Sequence, residues 1–349
     1  MKARLLIPLF VIALGLAACR PARPIPLTAT LTREPAISNP LPAIIFTPTA
    51  PLATATTKVW TYDEMTVGLI EAGSEGQWYI NNITNFKELA GQLGITLKLF
   101  DAQFRPEAQS MAFRNFIQDP EVNLIVVAAI EPTGWEALLQ QAKAAGKVVI
   151  FEDRPISASE GLYTTFIGSD FVAEGRKAAD EMCSQLSGGQ KNVWELTSFV
   201  ANQDAYKVNE RSEGFRKEMG ECGITIAPTS GANQSDDEAA MEAFLRTTNI
   251  QGVFLQNPHM ANSAIRAIKA VDLKPGIDIK IIQMDCRASE AVVAGMWAGE
   301  INACMEYNFL LAPQIYEAAL QALNGGTVPK WLPVEERVLH LKDVDHSRY

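Results

Sequence analysis

The sequence predicts an α/β protein built as two doubly wound, Rossmann-like lobes joined by a hinge, with a ligand cleft between them. Three observations predict this. From Met65 onward, short apolar runs alternate with segments whose apolar residues recur at helical spacing. The runs Asn123–Ala129 and Lys147–Phe151 are apolar throughout, as strands buried on both faces of a parallel sheet are. Strand starts near residues 66, 95, 123 and 147 repeat at the length of a βαβ unit, and the rhythm restarts after Arg154.

Residues 1–18 read as an export signal. Lys2 and Arg4 precede an apolar stretch too short to cross a bilayer, and small residues stand before Cys19. The ending Leu16-Ala17-Ala18-Cys19 resembles the lipobox of bacterial lipoproteins, which implies lipid on Cys19 and a place outside the cytoplasm, tethered to the cell membrane. Residues 19–61 read as the tether. Between residues 20 and 57 there are eight Pro and eight Thr, and such a stretch cannot bury enough apolar surface to fold.

The first lobe is expected over 62–157, with 307–332 crossing back to it. Its strands are Thr66–Glu71, Ile95–Phe100, Asn123–Ala129 and Lys147–Phe151. Ile80, Ile83, Phe86, Leu89 and Leu93 mark its first helix, and Pro106–Ile117 its second, with Pro in the first turn. Trp135–Ala145 is its third. The second lobe is expected over 158–306, with 333–345. Its strands are Tyr163–Gly168, Asn192–Leu196, Ile224–Ala227, Gly252–Gln256, Ile279–Met284 and Ile301–Met305. Helices at Ala173–Gln185, Tyr206–Met219, Asp236–Arg246, Ala261–Val271 and Ser289–Trp297 alternate with these strands. A last helix, Ala312–Leu323, and a strand near Arg337–Leu341 cross between lobes.

A net charge of −10 argues against nucleic acid, which needs a basic face. Nothing points to a cofactor, since neither a dinucleotide nor a P-loop glycine pattern occurs. His259, His340 and His346 lie outside any metal-ligand spacing. Cys183 and Cys222, at the ends of neighbouring helices, are candidates for a disulfide; Cys286 and Cys304 read as free, small apolar residues.

In open parallel sheets, ligands bind beyond the carboxyl ends of the strands. Gly73 to Tyr79 comes after the first strand, and Glu152-Asp153-Arg154-Pro155 after Lys147–Phe151. Ser198 to Gln203, Asn257, Asp285 and Glu306 come after later strands. This mixture suits a sugar: Trp or Tyr stacks on the ring, and Asp, Asn and Arg bond its hydroxyls, more strongly where charged. Each residue also has a plainer reading. Trp78 could be a core aromatic, Asp153 and Arg154 a surface pair, Asn257 a turn former before Pro258, and Trp135 either rim or core.

The segments GSEGQW (Gly73–Trp78), PTGWE (Pro132–Glu136), FEDR (Phe151–Arg154), IGSD (Ile167–Asp170), ERSEGF (Glu210–Phe215), QMD (Gln283–Asp285) and GEINACME (Gly299–Glu306) occur in order. With them the chain resembles the type I periplasmic sugar-binding proteins of ABC transporters, most of all their galactofuranose-binding members. The resemblance implies that Glu75, Gln77, Trp78 and Tyr79, with Asp153 and Arg154, grip a sugar from the first lobe. It implies that Asn202, Asn257, Asp285 and Glu306 complete the site from the second lobe and hinge. Tyr79 departs from the pattern, which has Arg there.

The expectation is a monomeric, non-catalytic lipoprotein that captures a monosaccharide by lobe closure and delivers it to a membrane permease. A sensor feeding a histidine kinase would share the build. A secreted hydrolase has one faint mark: Ala72-Gly73-Ser74-Glu75-Gly76 resembles a nucleophile elbow, with Asp153 and His259 following in order. That elbow belongs after several strands, and here it comes after the first.

Overall fold

A computed structural model describes residues 58–74, 76–186, 191–197, 205–227, 238–286 and 290–344. The signal, Cys19 and the tether up to residue 57 lie outside the described residues, as do Glu75 and Asn202.

The first sheet holds β1 (Thr66–Glu71), β2 (Thr96–Asp101), β3 (Leu124–Val127), β4 (Val148–Glu152), β5 (Thr165–Gly168) and β11 (Trp331–Pro333), in the order β11-β5-β4-β3-β1-β2, every pair parallel. Its side chains alternate between two cores. Val67, Leu69, Leu124 and Val126 pack toward α1 (Gln77–Leu93) and α9 (Ala312–Leu323). Ile70, Ile125 and Val127 pack toward α2 (Pro106–Gln118) and α3 (Glu136–Ala144). Burial on both faces is why these strands are apolar throughout, and each such side chain contributes about 1.5–3 kcal/mol.

The second sheet holds β6 (Asn192–Leu196), β7 (Thr225–Ile226), β8 (Gly252–Leu255), β9 (Lys280–Met284), β10 (Ala303–Met305) and β12 (Val338–Leu339), in the order β12-β10-β9-β8-β6-β7. Only the β10–β12 pair is antiparallel. One face is covered by α4 (Phe171–Gln185) and α5 (Ala205–Glu221), the other by α6 (Glu238–Thr247), α7 (Ala261–Ala270) and α8 (Glu290–Trp297). Helices α4 and α5 meet backbone to backbone: a Cβ on Gly175 would lie 2.0 Å from the Arg211 carbonyl oxygen, and one on Gly214 2.0 Å from that of Val172. Cys183 and Cys222 form a disulfide between the far ends of this pair. No helix among the described residues is long and apolar enough to cross a membrane.

The chain passes between the lobes three times, after β5, after β10 and after β11. The structure corrects the sequence reading in three places. The spacing puts Tyr163–Gly168 in the second lobe, but β5 pairs in parallel with β4 and belongs to the first. Residues 153–164, with only a short 3-10 turn at Glu160–Leu162, suffice for that crossover. The edge strand β11 has no counterpart in the expected strands. Cys286 and Cys304 are not free: they form a disulfide joining the ends of the adjacent strands β9 and β10.

Candidate ligand-binding cleft

Asp153 and Asp285 occupy matching places in the two sheets, each directly after a central strand. Both adopt left-handed backbone, with φ of 56° and 63°. Each N–H is held by the next strand, Asp153 by the Ile167 carbonyl at 3.0 Å and Asp285 by the Met305 carbonyl at 2.9 Å. Such conformations cost about 1–3 kcal/mol in residues other than Gly and persist where structure enforces them. The strain turns both carboxylate-bearing residues into the space between the lobes.

Asp153 and Arg154 are 2% and 3% exposed. Lys207, from α5 of the second lobe, donates to both Asp153 oxygens at 3.0 and 2.9 Å, and the Tyr307 hydroxyl donates to Oδ1. Lys207 also donates to the Tyr307 oxygen at 2.6 Å, and Arg154 Nε lies 3.5 Å from Asp153 Oδ2. Burial alone would raise the Asp153 carboxyl. Lys207, Arg154 and the Tyr307 hydroxyl outweigh it and hold the group below the usual carboxylate range. Arg154 also donates to the Tyr79 hydroxyl at 2.7 Å, so Tyr79 is oriented by the same pair.

Aromatic rings form one wall. Trp78 and Tyr307 stack with centroids 5.1 Å apart, and Tyr79 meets Trp78 edge-on at 5.2 Å. The Arg211 guanidinium lies 4.8 Å from the Phe171 ring centroid and 5.3 Å from that of Tyr307, and its Nε donates to Glu174 at 2.5 Å. Trp78, Tyr79, Tyr307, Lys207 and Arg211, with Gln256, Asn257 and Asp285, surround a cavity of about 170 Å³. That exceeds the roughly 150 Å³ that admits a benzene ring, so one sugar ring is the right scale.

The structure brings Trp78, Tyr79, Asn257 and Asp285 to the cavity wall and places Asp153 and Arg154 behind it, bonded to the lining residues Lys207, Tyr307 and Tyr79. Asn257 also keeps its turn role, accepting from the His259 N–H at 2.9 Å. Gln77 is exposed at the start of α1 and bonds Asn81. Trp135 packs edge-on against Phe113 and Phe151, with Nε1 on the Glu131 carbonyl, and does not line the cavity. Glu306 is 3% exposed and paired with Arg337 at the second crossing. Lys207, Arg211, Gln256 and Tyr307 were missed because they sit on a helix, at a strand's last turn or on a crossing. One signal was present: Lys207, Arg211 and Gly214 recur at i, i+4 and i+7, a charged stripe ending in a close-contact glycine.

The elbow reading finds no support in the geometry, since the exposed Ser74 donates to Asp101 at 2.6 Å rather than to an imidazole. The described residues hold no cluster suited to a metal ion.

Beneath the cleft, Glu71 and Glu152 are fully buried, and Asn82 donates toward both, at 3.5 and 3.2 Å. Burial, then their mutual proximity and that of Asp153, raise Glu71 well above the ordinary range. Burial, with Asp153, pushes Glu152 up to about 8.

Two α/β lobes with a small cavity between their strand ends, walled by aromatic rings and a few polar side chains, have the build of a two-lobed binding protein. Residues 67–327 match the periplasmic binding protein domain, and the chain belongs to that family, whose members work outside the cytoplasm. It is 32% identical over 287 residues to the galactofuranose-binding protein YtfQ of Escherichia coli (strain K12), spanning 80% of this chain and 88% of that protein. Among solved structures, a Mycobacterium smegmatis protein in complex with β-D-fucofuranose superimposes with a TM-score of 0.64 at 32% identity, covering 80% of this chain and 92% of that one. The binding protein of the arabinose ABC transporter from Shewanella sp. ANA-3, bound to α- and β-L-arabinofuranose, gives 0.66 at 31% identity, with the same coverage. The relatives are sugar-binding transport proteins, not enzymes.

Proposed function

We propose that this chain is the solute-binding component of an ABC sugar importer, capturing a neutral monosaccharide between its lobes and presenting the closed form to a membrane permease. The observation that carries the reading is a cavity of one-ring size walled by the Trp78–Tyr307 stack, Tyr79, Lys207, Asn257 and Asp285, with the buried Asp153–Arg154 pair behind that wall holding Lys207, Tyr307 and Tyr79 in place. The ligand is neutral because the three cations at the cleft, Lys207, Arg154 and Arg211, are matched by three carboxylates: Asp153, which both Lys207 and Arg154 face, Glu174, which holds Arg211, and Asp285 on the cavity wall. Furanose forms are the first candidates, given the ligands of the relatives. Glu75 and Asn202, which lie outside the described residues, are included among the residues proposed to contact the sugar. Closure is a population shift driven by tighter binding to the closed state, with hinge motion at the three crossings. Lipid on Cys19 and the Pro/Thr-rich tether keep a monomeric head near its permease.

A thermal-shift and calorimetric screen tests the ligand. L-Arabinose, D-galactose and D-fucose should raise the melting temperature by linkage, and the matching uronic acids should not. Stabilisation by uronates alone would overturn the neutral-sugar reading. Cys19→Ala should move the protein from the membrane fraction to the soluble one.

A further inference from the structure

The three crossings meet at one side chain. Glu336, on the third crossing, is 3% exposed. Its Oε1 accepts from the Ser169 hydroxyl on the first crossing at 2.6 Å and from the Asn308 N–H on the second at 3.1 Å. Its backbone carbonyl accepts from Lys177 of α4 at 2.7 Å. Around it the crossings are laced further: Val334 N–H donates to Gly168, Glu306 N–H to Arg337, and the Asn308 amide to Glu335. Glu174, in the first turn of α4, is 2% exposed and interacts with the Glu336 carboxyl on one side and holds Arg211 on the other.

We propose that Glu336 is a positioning residue of the cleft, a clasp that joins the three crossings and, through Glu174, fixes the Arg211 guanidinium over the Phe171 and Tyr307 rings. A carboxyl can do this in a way that an apolar residue cannot, because one oxygen accepts from two crossings while the group faces a second carboxyl. A buried carboxyl beside a second carboxyl is favoured in its neutral form. Burial first, and then Glu174, raise Glu336 well above the ordinary range, while Ser169 and the Asn308 N–H pull the other way. The charged groups around the pair are Asp170 and Lys177 at and on α4, Glu210 and Arg211 from α5, and Glu306 and Arg337 at the adjoining crossings. Losing the proton sets two negative charges against each other where the crossings meet, and the clasp loosens as pH rises.

The inference rests on the binding reading for its effect on ligand, but its first test needs none. Amide hydrogen exchange, corrected for intrinsic rate, is followed in peptides spanning 168–174, 305–312 and 333–338 between pH 6 and 9. In the wild type, protection of all three should fall together by about tenfold as pH rises, since each factor of ten is one unit in the opening constant. Glu336→Gln keeps an acceptor for Ser169 and Asn308, so it should retain protection and lose the pH dependence. Glu336→Ala should lose protection in all three segments at every pH. Ser169→Ala, which leaves the buried pair intact, should lose a smaller part and serves if Glu336→Ala does not fold. With L-arabinose as probe, Glu336→Ala should bind at least tenfold more weakly and Glu336→Gln should bind as the wild type does. Unchanged protection in Glu336→Ala and Ser169→Ala, or equal damage from Gln and Ala, overturns the clasp. Failure of the sugar to bind the wild type overturns the ligand assignment and leaves the exchange result to decide the clasp.

Discussion

Removing the cross-lobe ion pair tests the energetics of the cleft directly. Asp153 and Lys207 are 2% and 6% exposed and meet at 2.9–3.0 Å. At an effective dielectric near 20, charges this close attract by about 5 kcal/mol. Desolvating two ions offsets several kcal/mol of that. The net coupling in a cycle of Asp153→Asn, Lys207→Met and the double variant should be about 2–4 kcal/mol, within the span found for close buried pairs. Either single variant strands a buried charge and should cost about 3–5 kcal/mol, roughly 6–10 °C in melting temperature. The double variant should cost far less than the two singles combined. Urea unfolding at pH 7, with tryptophan fluorescence and circular dichroism as independent probes, gives the four free energies. The carboxyl of Asp153 is held low, so its contribution is present above the ordinary Asp value and is lost as pH falls through the lowered one. Asp153→Asn should therefore flatten that acid limb. Additivity of the two singles to within about 0.5 kcal/mol would refute the coupling across the cleft.

Further tests address other elements. Because the folded state raises Glu152 to about 8, its contribution to stability should decline from the ordinary carboxylate range up to that pH; melts of Glu152→Gln between pH 5 and 9 should show a shallower decline than the wild type, with Glu71 and Glu336 supplying the remainder. Replacing Cys286 and Cys304 by Ser should cost about 3 kcal/mol for a closed loop of this length, and the difference from wild type should vanish in reductant. Gly214→Ala should cost at least about 1–3 kcal/mol by forcing α4 and α5 apart, while Gly220→Ala, with open space around it, should be neutral or stabilising in the same melt. Tyr79→Phe removes an acceptor from the buried Arg154 and should weaken sugar binding by about tenfold in calorimetry.

Much of the architecture was legible because the central strands are buried on both faces. Leu124–Val127 and Val148–Glu152 can serve few other purposes, and the residues just past such a strand lie at the cleft. That logic found Asp153, Arg154 and Asp285. It could not tell which sheet β5 would join, since a strand's local pattern is the same in either. It could not see β11, a three-residue edge strand whose Trp331 is half exposed. It failed for Trp135, where an indole near a strand end turned into the core between Phe113 and Phe151. Lys207, Arg211 and Glu336 escaped because their partners are distant in sequence, and nothing local marks a lysine whose carboxylate is 54 residues away.

The late elements α9 and β11 also set an order of events in time. Leu311, Ala312, Ile315, Tyr316 and Ala319 cover the face of the first sheet that carries Val67, Leu69 and Val126. A chain synthesised only as far as β10 would cover that face with α1 alone and leave the part under α9 open to water, however well its second lobe had formed. Most of the second lobe, from α4 to β10, is inserted between elements of the first, and the chain returns to it with β12 after β11. Completion of the first lobe should therefore wait for α9 and β11, at a rate limited by long-range contacts. Fragments cut between the lobes should be recovered as one soluble half and one aggregate, not as two independent domains.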